Sequence, residues 1–145
     1  MKKLIIFVTI IAAVIALIIT MSVQKTAVIK IGGFNMKVEL ANTPQQHQKG
    51  LSSRTSLDYD KGMLFVFENP IIPSFWMKDM NFSIDIIWID EDFAIIDIEH
   101  SISPESFPET FSPPQSVSYV LEVNAGWARR AGLTIYQKFL LYPEQ

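Results

Sequence analysis

The sequence predicts a mainly β domain, α+β at the margin, compact and barrel-like or sandwich-like, made of short strands with two short helices and preceded by an N-terminal transmembrane helix. Three observations carry this expectation. An uncharged apolar run occupies the N-terminus, period-two alternation recurs along the rest of the chain between Gly, Pro and Asp turns, and only two stretches carry helix start and stop signals. With 145 residues, 49% hydrophobic and 12% aromatic, the chain is long and apolar enough for one packed core, and it holds no internal repeat.

After Met1, Lys2 and Lys3, residues 4–23 are uncharged, interrupted only by Thr9, Thr20 and Ser22. At helical rise such a run reaches ~30 Å, the thickness of a hydrocarbon core. No A-x-A pattern follows it, so an uncleaved anchor is expected, with a cleaved signal and a secreted domain as the alternative. Lys2 and Lys3 before the run favour a single-pass membrane protein whose C-terminal domain lies outside the cytoplasm. The expected division is residues 1–24 as signal anchor and residues 25–145 as exported domain.

From Thr26, Ala27, Ile29 and Ile31 alternate with Val28 and Lys30; Gly32-Gly33 follows, then Phe34, Met36, Val38 and Leu40 alternate with polar residues. Two such runs around Gly-Gly predict a hairpin. Thr43 as N-cap, Pro44 at the first helical position and Gly50 as stop predict a short helix over residues 44–49. Residues 62–67 form a continuous apolar run, read as a strand buried on both faces and ended by Glu68-Asn69-Pro70. Residues 83–90 and 93–98 predict a second hairpin around Asp90-Glu91-Asp92. Residues 101–114, with four prolines, predict a long loop that serves as a lid, a recognition surface or a plain crossover. Residues 117–123, 124–131 and 133–142 then read as strand, helix and strand.

Composition excludes several chemistries. There is no cysteine, hence no disulfide, thiol nucleophile or Cys-type zinc site. Setting Lys2 and Lys3 aside, ten basic residues against fifteen acidic ones leave −5, which opposes a nucleic-acid partner. No serine lies in a G-x-S-x-G or S-x-x-K context, and His47 and His100 have no metal-ligand spacing, so no metal or other cofactor is expected.

Two carboxylates stand out. Asp85 interrupts an apolar strand and Glu122 interrupts Tyr119-Val120-Leu121-Glu122-Val123. A carboxylate in a central strand is costly unless paired, and the candidate partners are Lys78, Arg54, Arg129 and Arg130. Asp85 and Glu122 are therefore either catalytic candidates or members of buried ion pairs that fix register. In the stretch Phe75-Trp76-Met77-Lys78-Asp79-Met80, alternation sends Phe75 and Met77 inward and Trp76 and Lys78 outward.

The order of blocks Lys49-Gly50-Leu51, Arg54-Thr55-Ser56-Leu57, residues 62–67, Phe75-Trp76-Met77-Lys78, residues 85–90 and residues 119–126 resembles the prokaryotic family called domain of unknown function 192, over about residues 28–141. The resemblance implies a compact mainly β domain, often behind a signal peptide or anchor, with no established activity. Its usual blocks map onto Gly50, Leu51, Arg54, Gly62, Met63, Phe75, Trp76, Met77, Lys78, Asp85, Leu121, Glu122 and Gly126. This chain departs from the family at Asp79-Met80, Ser83-Ile84 and Tyr136-Gln137.

The function expected is a non-catalytic, membrane-anchored extracytoplasmic module that binds a small molecule, a glycan or a protein through Trp76, Lys78 and Arg54. A hydrolase or transferase using Asp85 and Glu122 is one alternative. A purely structural envelope domain is another.

Overall fold

The computed structural model describes residues 25–143. The expected transmembrane helix, and with it the division at residue 24, lies outside the described residues. Among those described, no helix is long and apolar enough to cross a membrane.

Nine strands and two short helices follow one another along the described residues: β1 (Thr26–Ile31), β2 (Phe34–Ala41), α1 (Pro44–Lys49), β3 (Lys61–Ile71), β4 (Phe75–Trp76), β5 (Ile84–Ile89), β6 (Ile95–Ile102), β7 (Thr110–Phe111), β8 (Val117–Asn124), α2 (Trp127–Arg130) and β9 (Leu140–Pro143). Seven strands form one mixed sheet in the order β6-β5-β8-β3-β2-β1-β9, and β4 pairs with β7 in a separate two-stranded sheet. The mainly β class and the two short helices are as expected. The barrel or sandwich is not: the sheet stays open, and the chain before β9 meets the chain before β6 at a single bridge, Ala94 to Lys138. Of the strand expected over residues 133–142, residues 133–139 turn instead, and only the end forms β9. Gly132 and Tyr136 have φ of 64° and 68°, and Gln137 N–H donates back to the Thr134 carbonyl.

The first hairpin forms as its alternation dictates, with Ile31 opposite Phe34 and Thr26 opposite Glu39. Its turn needs left-handed backbone at both Gly32 (φ 57°) and Gly33 (φ 82°), the geometry that matches strand twist. α1 starts on a capping box: Gln46 N–H donates to Thr43 Oγ1, and Gln46 Oε1 accepts from Thr43 N–H. A crossover through α1 is what allows β2 and β3 to run parallel.

Three boundaries shift from expectation. β3 continues through Pro70 to Ile71, but its register against β8 slips after Val66, so the exposed end carries the proline where no regular ladder needs its N–H. β8 runs on through Asn124, leaving only four residues for α2. The proline-rich loop contains β7, which pairs Phe111 with Phe75 and Thr110 with Trp76.

Both faces of the sheet are covered. One buries Ile29, Val38, Leu64, Ile87, Leu121 and Val123 beneath Trp127, Ala128 and Phe139. The other buries Met63, Phe65, Ile86, Trp88 and Val120 beneath Leu51 and Met77, with Phe75 packed against them. Every residue of β5 is buried, which is why its sequence lacks polar alternation.

Gly32 sits under the loop after α2, where an added Cβ would lie 2.6 Å from the Ala131 carbonyl oxygen. Gly32→Ala is expected to destabilise the domain by about 1–3 kcal/mol, combining left-handed strain with that clash. Urea unfolding measures it, and Gly33→Ala, with open space at its Cβ, is the milder control.

Candidate functional site

Strand register decides what the two carboxylates do. Asp85 lies opposite Val123, whereas Glu122 lies opposite Ile86 and Met63. Residues directly opposite share a face, so Asp85 and Glu122 project from opposite faces of the sheet. They do not form one acid–base pair, and neither has the buried ion pair that was the other expectation.

Asp85 is fully buried. Its Oδ1 accepts from Ser101 N–H at 2.8 Å and Gly126 N–H at 3.0 Å, and its Oδ2 accepts from Ala128 N–H at 2.9 Å. The partners are backbone amides, not cations. Between Ile84 and Ile86, β6 carries an extra residue opposite β5, and within that bulge Ser101 takes φ of 54°. The strained backbone thereby aims an N–H at the carboxylate. Gly126 and Ala128 belong to the start of α2, so Asp85 caps that helix from another strand.

Glu122 is also buried, but its Oε2 has no hydrogen-bond partner. It belongs to a row across the sheet, Glu39–Met63–Glu122–Ile86. Glu39 takes both guanidinium bonds of Arg54, Nη1 to Oε1 at 2.6 Å and Nη2 to Oε2 at 2.8 Å. That bidentate bond holds the Glu39 carboxyl below its usual range and raises Arg54. Glu122 feels only the field of Arg54, which is too little: burial pushes its carboxyl up to about 8. At neutral pH it is chiefly the protonated acid.

A cleft of about 190 Å³ reaches this acid. Glu122 shares it with His47, Lys49 and Gly50 from α1 and its end, Phe65 and Phe67 from β3, Phe75 and Trp76 from β4, and Ser52, Ser74 and Met80. Phe75 packs edge-on to Phe65 at 4.8 Å and to Trp88 at 5.5 Å, so the aromatic lining is rooted in core. His47 Nε2 lies 2.9 Å from the Ala41 carbonyl oxygen; that oxygen only accepts, so Nε2 carries the proton. Gly50, with φ of 48° and ψ of −134°, stops α1 in a conformation suited to glycine, and a Cβ there would lie 3.8 Å from Glu122 Oε2 and 3.3 Å from Phe65 Cζ.

Of the three expected ligand residues, the cleft brings in Trp76, which is 51% exposed. Lys78 is exposed with its ammonium 6.0 Å from the Trp76 ring, outside the lining, and Arg54 is committed to Glu39. Phe75 and Met77 do turn inward and Trp76 and Lys78 outward. Sequence reasoning missed His47, Gly50, Phe65 and Phe67 as site residues. The signal was present in the alternation of Met63, Phe65 and Phe67, which puts all three on one face of β3. Among the described residues, no group of three or more His, Asp or Glu is placed to hold a metal ion.

Fold and site together define a small, mainly β domain with an aromatic-lined cleft over a buried, unpaired carboxyl. The chain belongs to the DUF192 family, described as an uncharacterized ACR, whose model matches residues 27–140. No curated protein matches it. Among solved structures, it is similar to a Sinorhizobium meliloti protein described as a proposed transcription regulator, at 31% identity and a TM-score of 0.73, covering 81% of this chain and 92% of that one. It is also similar to a Novosphingobium aromaticivorans protein of unknown function, at 27% identity and a TM-score of 0.71, covering 79% of this chain and 83% of that one.

Removing the Asp85 carboxylate strands three backbone N–H groups, that of Ala128 buried and those of Ser101 and Gly126 partly so. Asp85→Ala is expected to cost about 3–5 kcal/mol, with Asp85→Asn intermediate, in urea unfolding. Glu122 acts on stability through pH. Below its ordinary value of 4.5 it is protonated folded or unfolded; between there and about 8 only the folded state keeps the proton. Stability from this group therefore falls as pH rises across that window and levels off above it, with a slope approaching about 1.4 kcal/mol per pH unit. Unfolding of wild type and Glu122→Gln at pH ~5.5 and ~7.5, both inside that window, should show the slope only in wild type.

Proposed function

We propose that this protein is a membrane-anchored extracytoplasmic module that binds a small molecule in the cleft over Glu122, without catalysing its conversion. The observation that carries the reading is the unpartnered Glu122 Oε2, buried at a cleft lined by Phe65, Phe67, Phe75 and Trp76. A buried acceptor without a partner costs about 1–3 kcal/mol, and a ligand that supplies the missing bond recovers it. Apolar walls around a few convergent polar groups suit small-molecule binding. Anchoring and export rest on the apolar run of residues 4–23 and on Lys2 and Lys3 before it.

A purely structural domain accounts for Asp85 but leaves Glu122 without a reason. Catalysis by Asp85 and Glu122 together is opposed by their positions on opposite faces of the sheet. Transcription regulation, the description attached to the S. meliloti protein, is not extended to this chain: an acidic domain offers no phosphate-binding footprint.

A thermal-shift screen of small molecules against the full-length protein in mild detergent tests the reading. A ligand that raises the wild-type melting temperature by several degrees and leaves Trp76→Ala unmoved is the expected outcome. If nothing in a broad library shifts the wild type, the binding reading fails.

A further inference from the structure

We propose that the ligand of this cleft is a small organic cation, an ammonium group held by Glu122 as counter-ion against the rings of Phe65, Phe75 and Trp76. This rests on the reading of the cleft as a binding site and adds the chemistry of what enters it.

The polar groups that the cleft offers to a ligand set the polarity of its partner. Glu122 Oε2 has no hydrogen-bond partner, and in the carboxylate form it only accepts. The Nε2–H of His47 is already donated to the Ala41 carbonyl and is not free for a ligand. A buried carboxyl oxygen without a partner calls for a ligand that brings a donor. The aromatic lining adds attraction for positive charge through the ring faces, strongest where water is excluded. The cleft volume of about 190 Å³ fits a group of side-chain size rather than a polymer.

The charges around Glu122 agree. From β3 and β5 its cross-strand neighbours are Met63 and Ile86, which carry none. Arg54 acts on it at a distance but is neutralised by Glu39 from β2. Lys49 from α1 lies on an exposed residue, where water screens its ammonium. The acidic excess of the domain draws cations toward the surface. The donors of the lining do not favour an anion: Gln48, Lys49 and Ser74 are exposed to water, and the Ser52 hydroxyl is donated to the Lys78 carbonyl.

Cation binding has a signature that neutral binding lacks. Burial holds Glu122 largely protonated at neutral pH, and an ammonium neighbour favours the carboxylate, so binding releases a proton to the buffer. Isothermal titration of full-length protein in detergent at pH 7, in phosphate and in Tris, reads that release as a difference in apparent enthalpy. The probes are benzylammonium, the lysine side chain as Nα-acetyl-lysine amide, and the uncharged benzyl alcohol. Binding of either cation with release of most of a proton per site, at least tenfold weaker in Glu122→Gln, is the expected result. Which cation binds tells a free amine from a lysine presented by a protein. No cation binding, equal affinity for benzyl alcohol, or the same proton release in Glu122→Gln overturns the cation assignment. The thermal-shift screen decides the broader binding reading separately, because a neutral ligand lost in Trp76→Ala would preserve that reading while this one fell.

Discussion

One buried carboxylate accepting three backbone amides holds this fold in its working arrangement. Asp85 ties the start of β5 to the bulge of β6 and to the first turn of α2. A helix of four residues has almost no stability of its own, so the carboxylate supplies the cap that keeps Trp127 and Ala128 over the sheet. The other face of β8 is covered separately, by Leu51, Met77 and Phe75, and there Glu122 is enclosed.

The two acids carry the same signature in sequence, a single charge inside an apolar strand, and they have opposite fates. What separates them is parity. Asp85 pairs with Val123, and Glu122 with Ile86, one residue out of step, so one side chain meets helix amides and the other meets aromatic rings. No property of either residue alone predicts this. The hairpins, the capped α1 and the inward turn of Phe75 and Met77 were legible because they follow from local periodicity and caps. Three other features were hidden because each depends on a partner remote in sequence: the choice of Glu39 by Arg54, the pairing of β4 with β7, and the turn that leaves the sheet open. Family resemblance located nearly the whole domain, but not which face each residue serves.

The cleft is built by withholding contacts as much as by making them. Arg54 stands close enough to act on Glu122, yet Glu39, two strands along the same row, takes both of its guanidinium bonds. Gly50 keeps bulk away from Oε2, and its backbone conformation resists replacement. The aromatic lining is anchored by edge-on contacts reaching down to Trp88. An acid held near neutrality inside rigid walls is prepared for a partner without rearrangement, and preorganisation lowers the cost of binding.

The position of β8 in the sheet also governs the order in which the molecule can be assembled. It lies between β5 and β3 although only α2 and β9 follow it in the chain. As the polypeptide emerges from the N-terminus, β1, β2 and β3 can associate, and so can β5 and β6, but the two groups have no common border until residue 124 has arrived. Until then each presents an open strand edge and an uncovered apolar face, the state in which chains pair with the wrong neighbour. A domain wired in this way completes itself all at once and late, so a chain cut short before β8 leaves two half-sheets rather than a smaller version of the protein.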